Sequence, residues 1–170
     1  MIVNISWLRY GSKYIIERDM IVNIREAESK DIELIVEFQK EMALETENLN
    51  LDRSVLFEGV KAVLNDENKA HYFIAESEQE PIGMLMITKE WSDWRNGWVW
   101  WIQSVYTKPG FRRKGVYKLL YEYIKKLVVN SDNVWGIRLY VDKRNIPAQS
   151  VYDSLGMSGE HYSTFEWMRE

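Results

Sequence analysis

The apolar positions along this chain change period several times, and each change marks an element. Residues 21–25 read as a short strand. From Ser29 the period lengthens: Asp31 and Glu33 form an acidic start, and Ile32, Ile35, Val36, Phe38, Met42 and Leu49 recur at helical spacing. A second helix is predicted over 54–64, where Val55, Leu56, Val60, Val63 and Leu64 are apolar. The period then falls to two. Residues 71–76 and 82–89 read as strands, separated by the polar, proline-ended turn 77–81 of a hairpin. Asn96-Gly97 is another turn signal, so the strand 82–89 is expected to return antiparallel as 98–106, with Glu90 to Gly97 as the connecting turn.

A longer helix follows over 114–129, its buried face marked by Val116, Leu119, Leu120, Tyr123, Ile124, Leu127 and Val128. A strand over 136–141, a helix over 146–155, a break at Gly156 and a last strand over about 162–168 complete the pattern. The order ββ-αα-βββ-α-β-α-β predicts an α/β fold with a mixed central sheet and helices on both faces. Met1 to Ile5 recurs as Met20 to Ile24, a match too short for a structural repeat. The expected organisation is a single domain over residues 20–170, with residues 1–19 an N-terminal extension or an added edge strand.

Composition narrows the function. With 170 residues, 46% hydrophobic and 28% charged, the chain is the size of one domain with one core. A formal charge of −4 argues against a chain-wide grip on nucleic acid or anionic lipid, so any anion site must be local. No cysteine is present, which excludes disulfides and thiolate metal sites. His71 and His161 stand far apart and read as structural or surface residues rather than metal ligands. No apolar run nears the roughly 20 residues of a membrane span and no secretory h-region is visible, so a cytoplasmic protein is expected.

The local anion site is legible at Pro109-Gly110-Phe111-Arg112-Arg113-Lys114-Gly115-Val116-Tyr117. A strand that feeds a basic, glycine-bearing turn opening a helix gathers backbone N–H groups and the positive end of the helix dipole at one spot. Cations at a helix start oppose the dipole, and a bound phosphate would account for them. Five of the eight tryptophans fall between Trp91 and Trp101. Trp100 and Trp101 read as core. Trp91 and Trp94, beside Glu90 and Asp93, have the composition of an acidic, aromatic-walled pocket for an ammonium group, or of a decorated hairpin.

On these residues the chain resembles the GNAT superfamily of N-acetyltransferases. Arg112-Arg113-Lys114-Gly115-Val116-Tyr117 is similar to its R-x-x-G-x-G/A loop at the arginine and first glycine, with Tyr117 in place of the usual Gly or Ala. Thr107-Lys108-Pro109 resembles the V-x-P step, and the segment from Asn145 through Tyr152 to Gly156-Met157 resembles N-x-x-A-x-x-x-Y-x-x-x-G-F. The resemblance spans about residues 21–168. It implies the acyl-CoA N-acyltransferase fold and acetyl-CoA as co-substrate, with no metal.

By that resemblance Arg112, Arg113, Lys114, Gly115, Val116, Tyr117 and Lys118 surround the pyrophosphate. Val105, Tyr106 and Thr107 pair with the pantetheine arm where two parallel strands splay, and Asn145 approaches it. Tyr152 lies near the sulfur as general acid, and the backbone N–H near Val105 stabilises the oxyanion. The position where many members carry a glutamate is Tyr140 here, so Glu90 and Asp93 are candidates for drawing off the proton or holding a cationic substrate, with Trp91 and Trp94. The implied partners are acetyl-CoA and a primary amine, with no nucleic acid and no membrane; a homodimer is left open. The competing readings are a non-catalytic acyl-CoA-binding module on the same fold and, against the net charge, a nucleic-acid binder.

Overall fold

The computed structural model describes residues 12–16, for which the backbone alone is considered, 20–160 and 163–169. Two compact units result, dividing between Arg138 and Leu139. Strands β1 (Ser12–Ile16), β2 (Met20–Glu26), β3 (His71–Ser77), β4 (Glu80–Ser92), β5 (Gly97–Thr107) and β6 (Val134–Leu139), whose last residue alone falls past the division, form one sheet in chain order. β1 through β5 pair antiparallel. The start of β6 lies beside the start of β5: Trp98 donates its N–H to Asn133 O at 2.8 Å, and further along the Arg138 guanidinium lies over Trp101, 5.7 Å from the ring centroid. These two strands therefore run parallel. The sheet is mixed, as expected.

Helices α1 (Ile32–Glu47) and α2 (Arg53–Leu64) cover one face. There Ile35, Val36, Phe38 and Val60 meet Tyr72, Met84 and Tyr106 in one buried cluster. Helix α3 (Val116–Val129) covers the other, burying Val116, Leu120, Tyr123 and Ile124, with the Tyr123 ring 5.7 Å from that of Phe73 on β3. Burying a Leu, Ile or Phe side chain contributes about 1.5–3 kcal/mol. These two layers therefore supply most of the drive to fold. Helix ends follow their chemistry: the Asp52 carboxylate accepts from the Ser54 and Val55 amides to start α2, and Asn48, at φ 53°, ends α1 in the left-handed conformation that asparagine tolerates.

Several predicted boundaries move. The hairpin between β3 and β4 closes through Glu78 and Gln79, both at positive φ, so the turn is two residues long although it has no glycine. Pro81 lies inside β4 at a register shift, where the ladder does not need its missing N–H. β4 continues through Ser92, which makes Glu90 and Trp91 strand residues rather than turn residues. β6 ends at Leu139, placing Tyr140 and Val141 beyond it. The second unit contains helix α4 (Ile146–Ser154). Residues 163–168 form no strand: alternation specifies a two-faced ribbon, but Phe165 is 95% and Trp167 88% exposed, so no buried face exists for one. Tyr162, the first residue of that expected strand, lies outside the described residues, as do Met1 to Ile5 and His161. The other histidine, His71, is buried, its Nδ1 2.7 Å from the Glu26 carboxylate.

An ion triad joins helix α1 to the sheet. Arg25 on β2 binds Asp31 through both Nη atoms at 2.7 and 2.8 Å, and binds Glu76 through Nε and Nη2. Burial opposes ionisation of Asp31, but hydrogen bonds from Arg25 and from the Glu28 amide, together with the charge of Arg25, outweigh it and hold the carboxyl below its usual range. A depressed carboxyl pKa contributes stability that is present above the unfolded value and lost as pH falls through the folded one. Thermal denaturation should therefore show the midpoint falling below about pH 4. Asp31→Asn should cost about 2 kcal/mol at neutral pH and flatten that acid limb.

Candidate functional site

The site is built where β5 ends and α3 begins. Opposite β4, Met84 pairs with Tyr106 and Met86 with Gln103, so two residues of β5, Ser104 and Val105, face one of β4. This is a β-bulge, and Ser104 takes φ 51° to make it. Because Trp101 lies beside Arg138, the last β6 residue, Leu139, is level with about Ile102, while β5 runs on to Thr107. Among the described residues no strand lies on that side of Val105, Tyr106 and Thr107. The strand end thus presents an edge of the kind an amide-bearing chain can extend, with Thr107 O already accepting from Arg112 Nε.

From Thr107 the chain passes through a 3₁₀ turn (Pro109–Phe111) into the basic loop. Lys108 donates its N–H to Ile82 O at 2.9 Å, fixing the loop entrance on β4. Gly83 sits beneath it: a Cβ there would lie 2.9 Å from Tyr106 O and 3.2 Å from Val116 Cγ1. The loop itself alternates left-handed residues, Arg113 at φ 61° and Gly115 at φ 84°, the pattern of a concave nest of amides. Gly115 is the N-cap of α3 and has no side chain to cap it, and the first turn of α3 has no acidic residue. The first helical bond is Leu119 N–H to Gly115 O, so the amides of the first turn lie outside the ladder. α2 and α4, by contrast, are capped by Asp52 and Asn145. An anion fits this unneutralised helix start.

The three cations differ. Arg113 and Lys114 are exposed, with Lys114 Nζ 5.2 Å from the Phe111 ring centroid. Arg112 is not a mobile charge: its Nε donates to Thr107 O at 2.8 Å and Nη2 to Glu45 Oε2 at 2.5 Å. The Tyr106 side chain points into the α1 layer, its ring 4.9 Å from Phe38 and its hydroxyl donating to Glu41 Oε2 at 2.5 Å. Burial and the Glu41 carboxylate push that phenol well above its ordinary value. The backbone groups of Tyr106 are turned to β4, in register with Met84, so the outward-facing backbone near this end of the strand is that of its neighbour Thr107. Lys118 is exposed, and the Tyr117 ring lies 6.4 Å from Tyr121.

Glu90 stands on the α1 face of β4, where Trp101 Nε1 donates to one carboxylate oxygen at 2.5 Å and Arg138 to the other at 2.8 Å. It pairs in register with Val99, six residues from Val105, which is roughly 20 Å at strand rise. That distance removes Glu90 from direct contact with a carbonyl held at Val105. Trp91 is on the opposite, α3 face, edge-on to Trp98 at 5.0 Å. Trp94 is 89% exposed in the 3₁₀ turn (Asp93–Arg95), and the Asp93 carboxylate accepts from its N–H at 2.9 Å. The hairpin tip therefore does not gather Glu90, Trp91, Asp93 and Trp94 into one pocket. Trp100 is buried, whereas Trp101 is half-buried and polar-bonded.

In the second unit, Asn145 caps α4 by accepting from the Ala148 amide at 3.1 Å. Arg144 holds the Asp142 carboxyl down to about 2 through side-chain and backbone hydrogen bonds, and Gln149 Nε2 donates to Asp142 O and Lys143 O, so the turn before α4 is well tied. Tyr152 is half-buried, and burial raises its phenol above the ordinary value. It remains protonated at neutral pH. Sequence reasoning missed Glu41 and Glu45, which on a helical pattern are ordinary solvent-side positions. No cluster of three or more His, Asp or Glu among the described residues could hold a metal ion, and no described helix is long and apolar enough to cross a membrane.

Comparison with known proteins bears on this geometry. The acetyltransferase (GNAT) family matches residues 32–157. The crystal structure of a possible acetyltransferase from Clostridium difficile 630 has 43% identity and a TM-score of 0.82, over 88% of this chain and 98% of that one. A predicted acetyltransferase from Clostridium acetobutylicum, crystallised with acetyl-CoA, has 23% identity and a TM-score of 0.66, over 88% and 95% of the two chains. An aminoglycoside acetyltransferase from an uncultured soil metagenomic sample, in complex with sisomicin, has 17% identity and a TM-score of 0.71, over 88% and 97%. No curated protein matches the chain. The bulged strand, the uncapped basic helix start and the family match agree on acetyl-CoA as co-substrate, and the chain belongs to the GNAT acetyltransferase family.

Proposed function

We propose that this protein transfers the acetyl group of acetyl-CoA to a primary amine by direct attack in a ternary complex, with residues 20–170 acting as one catalytic domain. The observation that carries the reading is the continuity of the open β5 edge at Val105, Tyr106 and Thr107 with the uncapped start of α3. The pantetheine arm carries amides that can extend a strand edge. The pyrophosphate at its other end meets the amides from Arg113 to Lys118 and the charges of Arg113, Lys114 and Lys118. Spacing between edge and nest is fixed by the short 3₁₀ turn (Pro109–Phe111).

In the reaction a neutral amine attacks the thioester carbonyl carbon, and negative charge develops on the carbonyl oxygen. A backbone N–H at Val105 stabilises that oxyanion, costing no reorganisation because the strand already holds it. Collapse of the adduct breaks the carbon–sulfur bond, the thiolate takes a proton from Tyr152, and the proton that the attacking nitrogen sheds returns through water to restore the phenol. A phenol raised by burial suits this task, since it is protonated throughout the neutral range. The proton lost by the ammonium leaves to water; Glu90 is too distant to take it directly. Asn145, fixed as the α4 cap, keeps its side-chain amide N–H groups for the pantetheine arm. The absence of cysteine argues against a thiol acyl-enzyme.

Three measurements test this. A panel of primary amines assayed by thiol release should yield turnover; acetyl-CoA binding without turnover on any amine would favour a non-catalytic module. Tyr152→Phe should lower kcat by about 10²-fold with acetyl-CoA affinity retained, and should remove the alkaline limb of the kcat profile, which in the wild type lies above about pH 10. Unchanged turnover would take Tyr152 out of the chemistry. Calorimetry should show Gly115→Ala losing affinity for CoA modestly, from left-handed strain alone, and Gly115→Glu losing far more, because a carboxylate then faces the phosphates.

A further inference from the structure

Arg112, Arg113 and Lys114 are consecutive cations in the phosphate loop, yet Arg112 is bound up with groups of the protein itself. One edge of its guanidinium bridges two acceptors, Thr107 O through Nε at 2.8 Å and Glu45 Oε2 through Nη2 at 2.5 Å. Its carbon lies 5.7 Å from the Tyr106 ring centroid, and Tyr106 donates its hydroxyl to Glu41, one helical turn before Glu45. The last residues of β5, the first residue of the basic loop and the C-terminal half of α1 thus form one contiguous polar network. The loop has reason to need it. Arg113 holds a left-handed backbone without being glycine, and three adjacent positive charges repel one another.

We infer that Arg112 is a positioning residue rather than a phosphate ligand, and that Glu45, 67 residues upstream, sets the loop's affinity for acetyl-CoA by holding Arg112 against Thr107 O. The inference rests on the acetyl-CoA reading of the loop. Its two readings predict opposite signs for one substitution. If Arg112 gripped phosphate, Glu45 would compete with the ligand and its removal would leave binding equal or tighter. As a clamp, Glu45 organises the loop, and its removal weakens binding. Lysine cannot replace arginine, because a single ammonium lacks the planar fork that spans both acceptors.

The test is calorimetric titration of CoA and of CoA lacking the 3′-phosphate into wild type, Glu45→Gln, Arg112→Lys and the double variant. Each single variant should weaken binding roughly fivefold, the scale of a half-exposed charge pair. The double variant should be no weaker than the worse single one, and the loss should be the same for both ligands. With the amine identified by thiol release, KM for acetyl-CoA should rise while kcat and the thermal unfolding midpoint stay unchanged, separating positioning from folding. Binding by Glu45→Gln that equals or exceeds wild type overturns the clamp, as does a loss that disappears with the 3′-dephospho ligand. A wild-type chain that binds no CoA overturns instead the acetyl-CoA reading on which the clamp rests.

Discussion

One extra residue in β5 decides the architecture of the site. Along a strand, side chains alternate faces, so inserting a residue reverses the parity of everything that follows. Gln103 faces the α1 layer. Without the bulge, Val105 would follow it there and Tyr106 would turn toward α3. With Ser104 at φ 51° absorbing the insertion, Tyr106 instead points into the α1 layer against Phe38 and Glu41. That ring is then in place for Arg112 to stack on, and Arg112 is in place to bond Thr107 O and Glu45. The strand edge, the loop and helix α1 are coupled because a single backbone step is out of phase.

Much of this was legible in the sequence, for identifiable reasons. Helices α1, α2 and α3 have long apolar stripes at a single period, and the turn into β5 requires a left-handed residue, which asparagine tolerates: Asn96 sits at φ 46°. The basic loop was legible because a glycine and three cations at a helix start conflict with the dipole. The bulge was not, since Ser104 is neither glycine nor asparagine and nothing in the alternation of Trp98 to Thr107 signals a phase change. The turn at Glu78 and Gln79 was hidden in the same way. The hairpin tip stayed open between a pocket and a decorated surface for a different reason: acidic and aromatic residues adjacent in sequence point to opposite faces of a strand, which separates Glu90 from Trp91. The role of Arg112 depends on a glutamate on another helix, and single-sequence patterns carry no such pairing.

The electrostatic balance of helix α1 completes the picture. Glu33, Glu37, Glu41 and Glu45 recur every fourth residue, a like-charged stripe that destabilises an isolated helix. Each is met by a group from outside its own repeat: Arg53 pairs with Glu33 and Glu37, Lys40 with Glu37, the Tyr106 hydroxyl with Glu41 and Arg112 with Glu45. The stripe is therefore tolerable only in the folded chain, where α2, β5 and the basic loop supply the counter-groups. The Arg25 triad at the other end of α1 works the same way. A chain with a formal charge of −4 thus keeps a locally positive loop beside a helix rich in acid.

Gly83 leaves little tolerance in this arrangement. A Cβ there would press on both the Tyr106 carbonyl and the Val116 side chain, at the junction of three elements. Where a methyl group will not fit, strand and helix cannot be re-spaced independently, so any drift in the seat of α3 is transmitted to the end of β5. Redesign of this fold for a bulkier or smaller acyl donor should therefore leave that junction untouched and seek its room elsewhere.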